Sequence, residues 1–133
     1  MIIIDTLTAI PTEEDMRCSI GEYYRKCPAA KILAMALPQI VAELDRTGCT
    51  LVIVNQMRTA PVLIGNPERV PGGCALKHYA AMRLEVRLVE RLKVGGMVVG
   101  QKIRVKTVKN KCAAPEKEAK LDLLFGSGLH FVN

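Results

Sequence analysis

Two sets of residues have the types and spacing to do chemistry. The chain opens on an apolar run closed by an acid, Ile2-Ile3-Ile4-Asp5-Thr6. This is the Walker B pattern, in which a carboxylate at a strand's end holds the Mg²⁺ that bridges nucleotide phosphates, directly or through water. The same residues also fit an ordinary strand whose Asp caps the following turn. The second set is basic. Lys102, Arg104 and Lys106 keep a period of two, whereas Lys109 and Lys111 have the opposite parity. Either the strand bulges near Thr107 or these two lysines face the other side of its sheet. An ammonium turned from solvent needs an anion, because burying it alone is costly.

The elements that must position these residues alternate. Residues 2–5 read as a fully buried parallel strand, Thr6 to Lys26 as mostly loop, and Pro28 onward as a helix with Ala29, Leu33, Leu37, Ile40, Val41 and Leu44 at helical spacing. Pro38 is expected to bend or split that helix near Leu37. Thr50–Asn55 is a second apolar strand, which completes a βαβ unit with parallel strands. Residues 56–73, rich in Pro and Gly, read as a flexible loop, and Cys74 to about Ala81 as a short helix. Met82–Leu92 and Val98–Cys112 then form a hairpin about Gly95-Gly96, and Lys120–Phe125 a last short strand. The phosphate loop G-x-x-x-x-G-K-[ST] is absent. Gly95 to Lys102 mimics it, but Gln101 takes the lysine's place and the segment joins two strands, not a strand and a helix.

With 133 residues, 50% hydrophobic and 24% charged, the chain fits one domain with a core and is not disordered. No apolar run approaches the roughly 18–20 residues of a membrane helix. The start, MIIIDTLTAI, lacks a basic region, so no secretory signal and a cytoplasmic location are expected. Five cysteines without a C-x-x-C pair read as reduced, mostly buried thiols, and two distant histidines give no grouped metal ligands. Residues 1–50 carry 5 basic and 7 acidic side chains and residues 51–133 carry 14 and 6, balances of −2 and +8. That asymmetry fits either a polyanion partner or a solvated basic face.

The stretch from Leu51 to Pro115 resembles the RecA family of bacterial recombinases. Leu51-Val52-Ile53-Val54-Asn55-Gln56-Met57-Arg58 looks like that family's strand into its second DNA-binding loop. Gly65-Asn66-Pro67-Glu68 and Gly72-Gly73-Cys74-Ala75-Leu76-Lys77 look like the loop's end and the next helix. Ala75 to Arg83 is similar to the family signature at all but one position, where His78 replaces an apolar or aromatic residue. Arg104-Val105-Lys106, Val108-Lys109-Asn110-Lys111 and Ala113-Ala114-Pro115 match in type and spacing. The likeness covers nearly the whole chain and is weakest from Leu7 to Lys26.

The resemblance implies an α/β fold: a partial RecA-like P-loop NTPase core in one domain, residues 1–133, its parallel strands extended by an antiparallel hairpin region. It places Asp5, with Thr6, on the Walker B aspartate and an indirect magnesium site. Gln56 falls on the glutamine that senses the γ-phosphate, a task suited to an amide that both donates and accepts. Lys109 and Lys111 fall on lysines that reach a neighbour's ATP, and Pro115 near its adenine. Ile20-Gly21 would lie in the first DNA-binding loop, and Arg58 and the Gly72-Gly73 amides in the second. Lys77, His78 and Arg83 would lie at a subunit interface. Implied cofactors are ATP and Mg²⁺; implied partners are single-stranded DNA and a RecA-like subunit or further copies. Without the resemblance, Gln56 reads as a strand-end cap, Lys77 and Arg83 as surface residues, and His78 as a packing residue.

The sequence also departs from the family. The second loop is one residue shorter and the first about one longer, and Ala34 and Pro38 stand where a hydroxyl and an arginine usually face DNA, which weakens the expectation of DNA contact through that helix. The likeness begins at Walker B, so the phosphate loop and the glutamate that activates water would come from a partner. Alone, the chain is expected not to hydrolyse ATP, and the edge beside Asp5's strand is expected to recruit a partner or a second copy. Three functions compete: a catalytic piece of a recombinase, a DNA-binding or filament-modulating module without chemistry, and an inactive remnant.

Overall fold

A computed structural model of the chain describes residues 1–11, 13–17, 28–59, 68–71 and 73–132. These form two compact units, Met1–Tyr79 and Ala80–Asn133.

In the first unit, β1 (Ile2–Ile4) and β2 (Leu51–Ile53) pair in parallel, with Ile2 opposite Leu51 and Ile4 opposite Ile53. The pairing continues past both ends: the Ile2 N–H donates to Thr50 O (2.8 Å) and the Val54 N–H to Ile4 O (2.9 Å). The βαβ reading therefore holds, but the full burial expected of β1 does not, since Ile2 and Ile3 are exposed. Among the described residues this sheet has two strands, and its apolar side opens into a groove of about 550 Å³ lined by Ile2, Ile40, Leu44 and Cys49.

The stretch expected to be mostly loop contains a 3-10 turn, Leu7–Ala9, and a short helix α1 (Glu13–Arg17), which Glu13 and Arg17 tie together as an ion pair one turn apart. The long helix α2 (Pro28–Thr47) runs through Pro38 without ending. The proline removes one backbone donor, but Leu37 beside it is the one buried hydrophobic side chain among the described residues, 4% exposed. Packing of that face outweighs the lost bond. The helix stops at Gly48, whose φ of +62° suits the left-handed residue after a helix, and the Cys49 N–H donates back to Leu44 O (3.0 Å).

The segment read as a flexible loop closes on a two-residue ladder, β3 (Arg58–Thr59) with β4 (Glu68–Arg69), and α3 (Ala75–Tyr79) follows. Gly73 has a φ of +75°, and a Cβ there would meet the Ala30 Cβ of α2 at 3.2 Å.

The second unit is one antiparallel sheet in the order β5 (Met82–Val94), β6 (Met97–Asn110), β7 (Glu118–Leu124), β8 (Gly128–Phe131). Gly95 and Gly96, both at positive φ, make the hairpin turn, which confirms that they belong to no phosphate loop. The last strand begins at Glu118 and not Lys120, and β8 is an addition to the elements expected. Three register shifts mark β5–β6; the one between Arg83 and Leu84 leaves Val108 as an extra residue, next to Thr107, so of the two alternatives that the parity change left open the bulge is the one observed. Among the described residues Cys49, Cys74 and Cys112 are free thiols, Cys49 half-buried and Cys74 and Cys112 exposed where burial was expected; Cys18 and Cys27 lie outside the described residues.

Candidate functional site

The two ends of the chain's chemistry lie in different units. In the first, the parallel register carries β1 and β2 to the same carboxyl end, where Asp5 and Thr6 leave one strand and Asn55 and Gln56 leave the other. Ligands of open α/β sheets bind at such ends, because the loops there diverge and leave room. Asp5 and Gln56 are exposed and Thr6 is half-buried. The Leu7 N–H donates to Val54 O (3.3 Å), which ties the turn after Asp5 to the residue after β2.

Asn55, named in the sequence only as a strand end, organises this rim. Its Nδ2 donates to Pro71 O (2.8 Å), and its Oδ1 accepts the Gln56 N–H (3.0 Å). One half-buried amide thus fixes both the residue that precedes the loop and the backbone to which the loop returns. Arg58, exposed on β3, stands directly across from Arg69 at the loop's base. Ile20, Gly21 and Gly72 lie outside the described residues. Lys77 and His78 sit exposed on α3.

In the second unit, the Val108 bulge places Lys109 across from Arg83. Arg83 thereby joins the two lysines, a grouping that its place in the Ala75–Arg83 signature does not suggest. The Lys109 ammonium is held below the ordinary lysine range, first by partial desolvation, then by the positive charges of Lys111 and Arg83. Lys111 is attached to the same edge by its N–H, which donates to Ala81 O (2.9 Å). Asn110 Oδ1 accepts the N–H groups of Cys112 (2.9 Å) and Ala113 (3.2 Å), turning the chain off the ladder. It returns at Thr107, which accepts the Glu116 N–H (2.7 Å) and donates to Lys117 O (2.8 Å). Pro115 is exposed within this connection. Arg83, Lys109, Lys111 and Pro115 therefore gather at one end of one sheet.

Toward a metal, the first unit offers the Asp5 carboxylate, and among the described residues no group of three His, Cys, Asp or Glu side chains assembles. A single exposed carboxylate suits Mg²⁺, which keeps several waters and takes its other oxygens from phosphate. Among the described residues no helix is long and apolar enough to cross a membrane.

The chain is similar to known proteins over nearly its whole length. The family model described as the RecA N-terminal domain matches residues 1–130. The chain is 38% identical to Protein RecA 1 of Myxococcus xanthus over 99% of its own length and 39% of that protein's. It is 40% identical to Protein RecA of Tropheryma whipplei over 97% of its length and 30% of that protein's. Against Protein RecA of Salinispora tropica the figures are 41%, 97% and 37%. The chain spans 30–39% of the length of these relatives.

Proposed function

The chain belongs to the RecA family, and from that premise we propose that it is a partial RecA-type core, residues 1–133, serving DNA recombination and repair as one side of an interface ATP site. The observation that carries this reading is the Arg83–Lys109–Lys111 cluster, where like charges are drawn together and one ammonium is depressed. An anion brought to such a group relieves the repulsion among its like charges. ATP supplied by a neighbouring subunit would meet Lys109 and Lys111 through its phosphates and Pro115 near its base. At the other pole, Asp5 would hold Mg²⁺ through water, and the ion would neutralise charge that builds on the transferring phosphate. Gln56 would answer the γ-phosphate by re-forming its amide hydrogen bonds. Asn55, bonded both to the Gln56 N–H and to Pro71 O, would pass that movement to the 57–73 loop, which binds single-stranded DNA through Arg58 and the Gly72-Gly73 amides.

The test combines this chain, a RecA-like subunit that carries a phosphate loop, single-stranded DNA and Mg·ATP. ATP hydrolysis above that of the partner alone is expected, with Lys109→Ala lowering it by roughly ten- to a hundredfold, as removal of a group that stabilises transition-state charge does. No gain in any combination refutes the catalytic reading.

A second reading is favoured by the Arg58–Arg69 pair and the +8 balance of residues 51–133: a DNA-binding or filament-modulating module without chemistry. Binding of fluorescent single-stranded DNA that weakens steeply with salt, in the absence of hydrolysis, distinguishes it.

A further inference from the structure

We propose that Asp122 and His130 form a proton-dependent latch between β7 and β8, which closes when the imidazole carries its second proton. Four register partners make one row across the sheet: Glu90 on β5, Lys102 on β6, Asp122 on β7 and His130 on β8. Directly opposed residues share a face, so the four side chains stand side by side. Their charges read minus, plus, minus and, at the end, neutral or plus. The row alternates throughout only when His130 is protonated.

Asp122 Oδ1 is buried and accepts no hydrogen bond among the described residues, and an unpaired buried carboxylate oxygen is costly. Having almost no exposed surface, it can be reached only by groups already packed around it. From β6, Lys102 comes near enough to feel the Asp122 charge, but its ammonium is bonded to Glu90 at 2.7 Å. Arg104, diagonal to Asp122 on the same strand, is shared between Glu85 (3.5 Å) and Glu118 (4.0 Å). On β7 itself, Lys120 stands two residues away and is exposed. From β8 the facing group is His130. Its Nε2 lies 2.9 Å from Ser127 Oγ in the turn, which leaves Nδ1 for the carboxylate. Neutral imidazole carries one N–H; imidazolium carries two, so it donates to Ser127 and Asp122 together, and its charge strengthens the second bond. Lys120 is the nearest cation opposing the added proton. It is diagonal to His130, and diagonal neighbours stand about 7–8 Å apart where a facing pair stands at about 4.5–5.5 Å. The attraction of Asp122 therefore prevails.

The latch needs neither nucleotide nor DNA and stands apart from the ATP-site reading. Amide hydrogen exchange of the whole chain, corrected for intrinsic rates, is compared at about pH 8 and about pH 5, a span over which imidazole gains its proton. Over the same span Glu90, held low, and Lys102, held high, keep their charges. His78 belongs to the other unit, so a comparison within the sheet isolates His130. Protection of the β7–β8 amides relative to the β5–β6 amides is expected to be about fivefold greater on the acid side, the scale of one charge-assisted hydrogen bond. That gain is lost as pH rises through the histidine range. His130→Gln keeps a donor but cannot titrate, and Asp122→Asn keeps the shape but not the charge. In each variant the acid-side gain is expected to vanish, while β5–β6 protection reports that the sheet is still folded. A parent chain whose relative protection is equal at both pH values, or a gain that persists in either variant, overturns the proposal.

Discussion

Arg83 and Lys109 face each other across the β5–β6 ladder, and they do so only because Val108 is an extra residue in β6. The bulge is what makes a cationic cluster out of a strand that otherwise alternates. Because the Lys109 ammonium is depressed in the folded state, folded protein binds fewer protons than unfolded chain in the window just below the ordinary lysine range. Stability should therefore rise with pH through that alkaline window. Arg83→Ala is expected to move the Lys109 titration upward, read by ¹⁵N-detected NMR of the side-chain ammonium. Inorganic triphosphate is expected to raise the thermal midpoint of the parent chain and to raise that of Lys109→Ala less.

Asn55→Ala removes one bond to Pro71 O and one from the Gln56 N–H. A loss of about 1–3 kcal/mol in stability is expected for a half-buried group with two partners. Faster hydrogen exchange at Gln56 and Arg58, with the β5–β8 sheet unaffected, checks that the loss is local.

Gly100→Ala tests the close approach of β6 and β7. A Cβ at this position would meet Leu123 O at 2.5 Å and the Leu124 Cα at 3.1 Å, both backbone atoms that cannot swing aside. The strands must part, and an overpacking cost of about 1–3 kcal/mol is expected in thermal or denaturant unfolding.

The Glu90–Lys102 pair, 2.7 Å apart, predicts opposite behaviour at the two ends of the pH scale. The Lys102 hydrogen bond and charge hold the Glu90 carboxyl below its usual range, and Glu90 holds Lys102 above its own. The pair's contribution should fade as pH falls through the lowered carboxyl value and again as pH rises through the raised lysine value. Glu90→Gln is expected to flatten both limbs of the stability–pH curve, and added salt to shrink the difference, because both groups are at the surface.

The parts of this fold set by local pattern were legible in the residues. The apolar runs at Ile2–Ile4 and Leu51–Ile53 announce parallel strands, and the parity change between Lys106 and Lys109 announces the bulge. What was not legible depends on partners distant in sequence. The apolar run of β1 suggested burial, but burial needs layers on both faces, and Ile2 and Ile3 stay exposed. Pro38 suggested a break, but a break is decided by the packing of the helix face that holds Leu37. The four-residue β8 is too short to show alternation, and its pairing with β7 depends on the Gly126–Gly128 turn. In the site, the grouping of Arg83 with Lys109 requires the register of the hairpin. Counting outward from Gly95-Gly96 sets Arg83 opposite Val108, one residue short of the observed partner.

The Arg58–Thr59 and Glu68–Arg69 ladder has an evolutionary corollary. Two paired residues on each side hold the two ends of the 60–67 stretch at a fixed separation, whatever lies between them. Since the entropy of closing a loop grows only logarithmically with its length, residues can be gained or lost inside that staple at small energetic penalty. Length drift in lineages of this chain should therefore collect there, leaving the neighbouring strand geometry untouched.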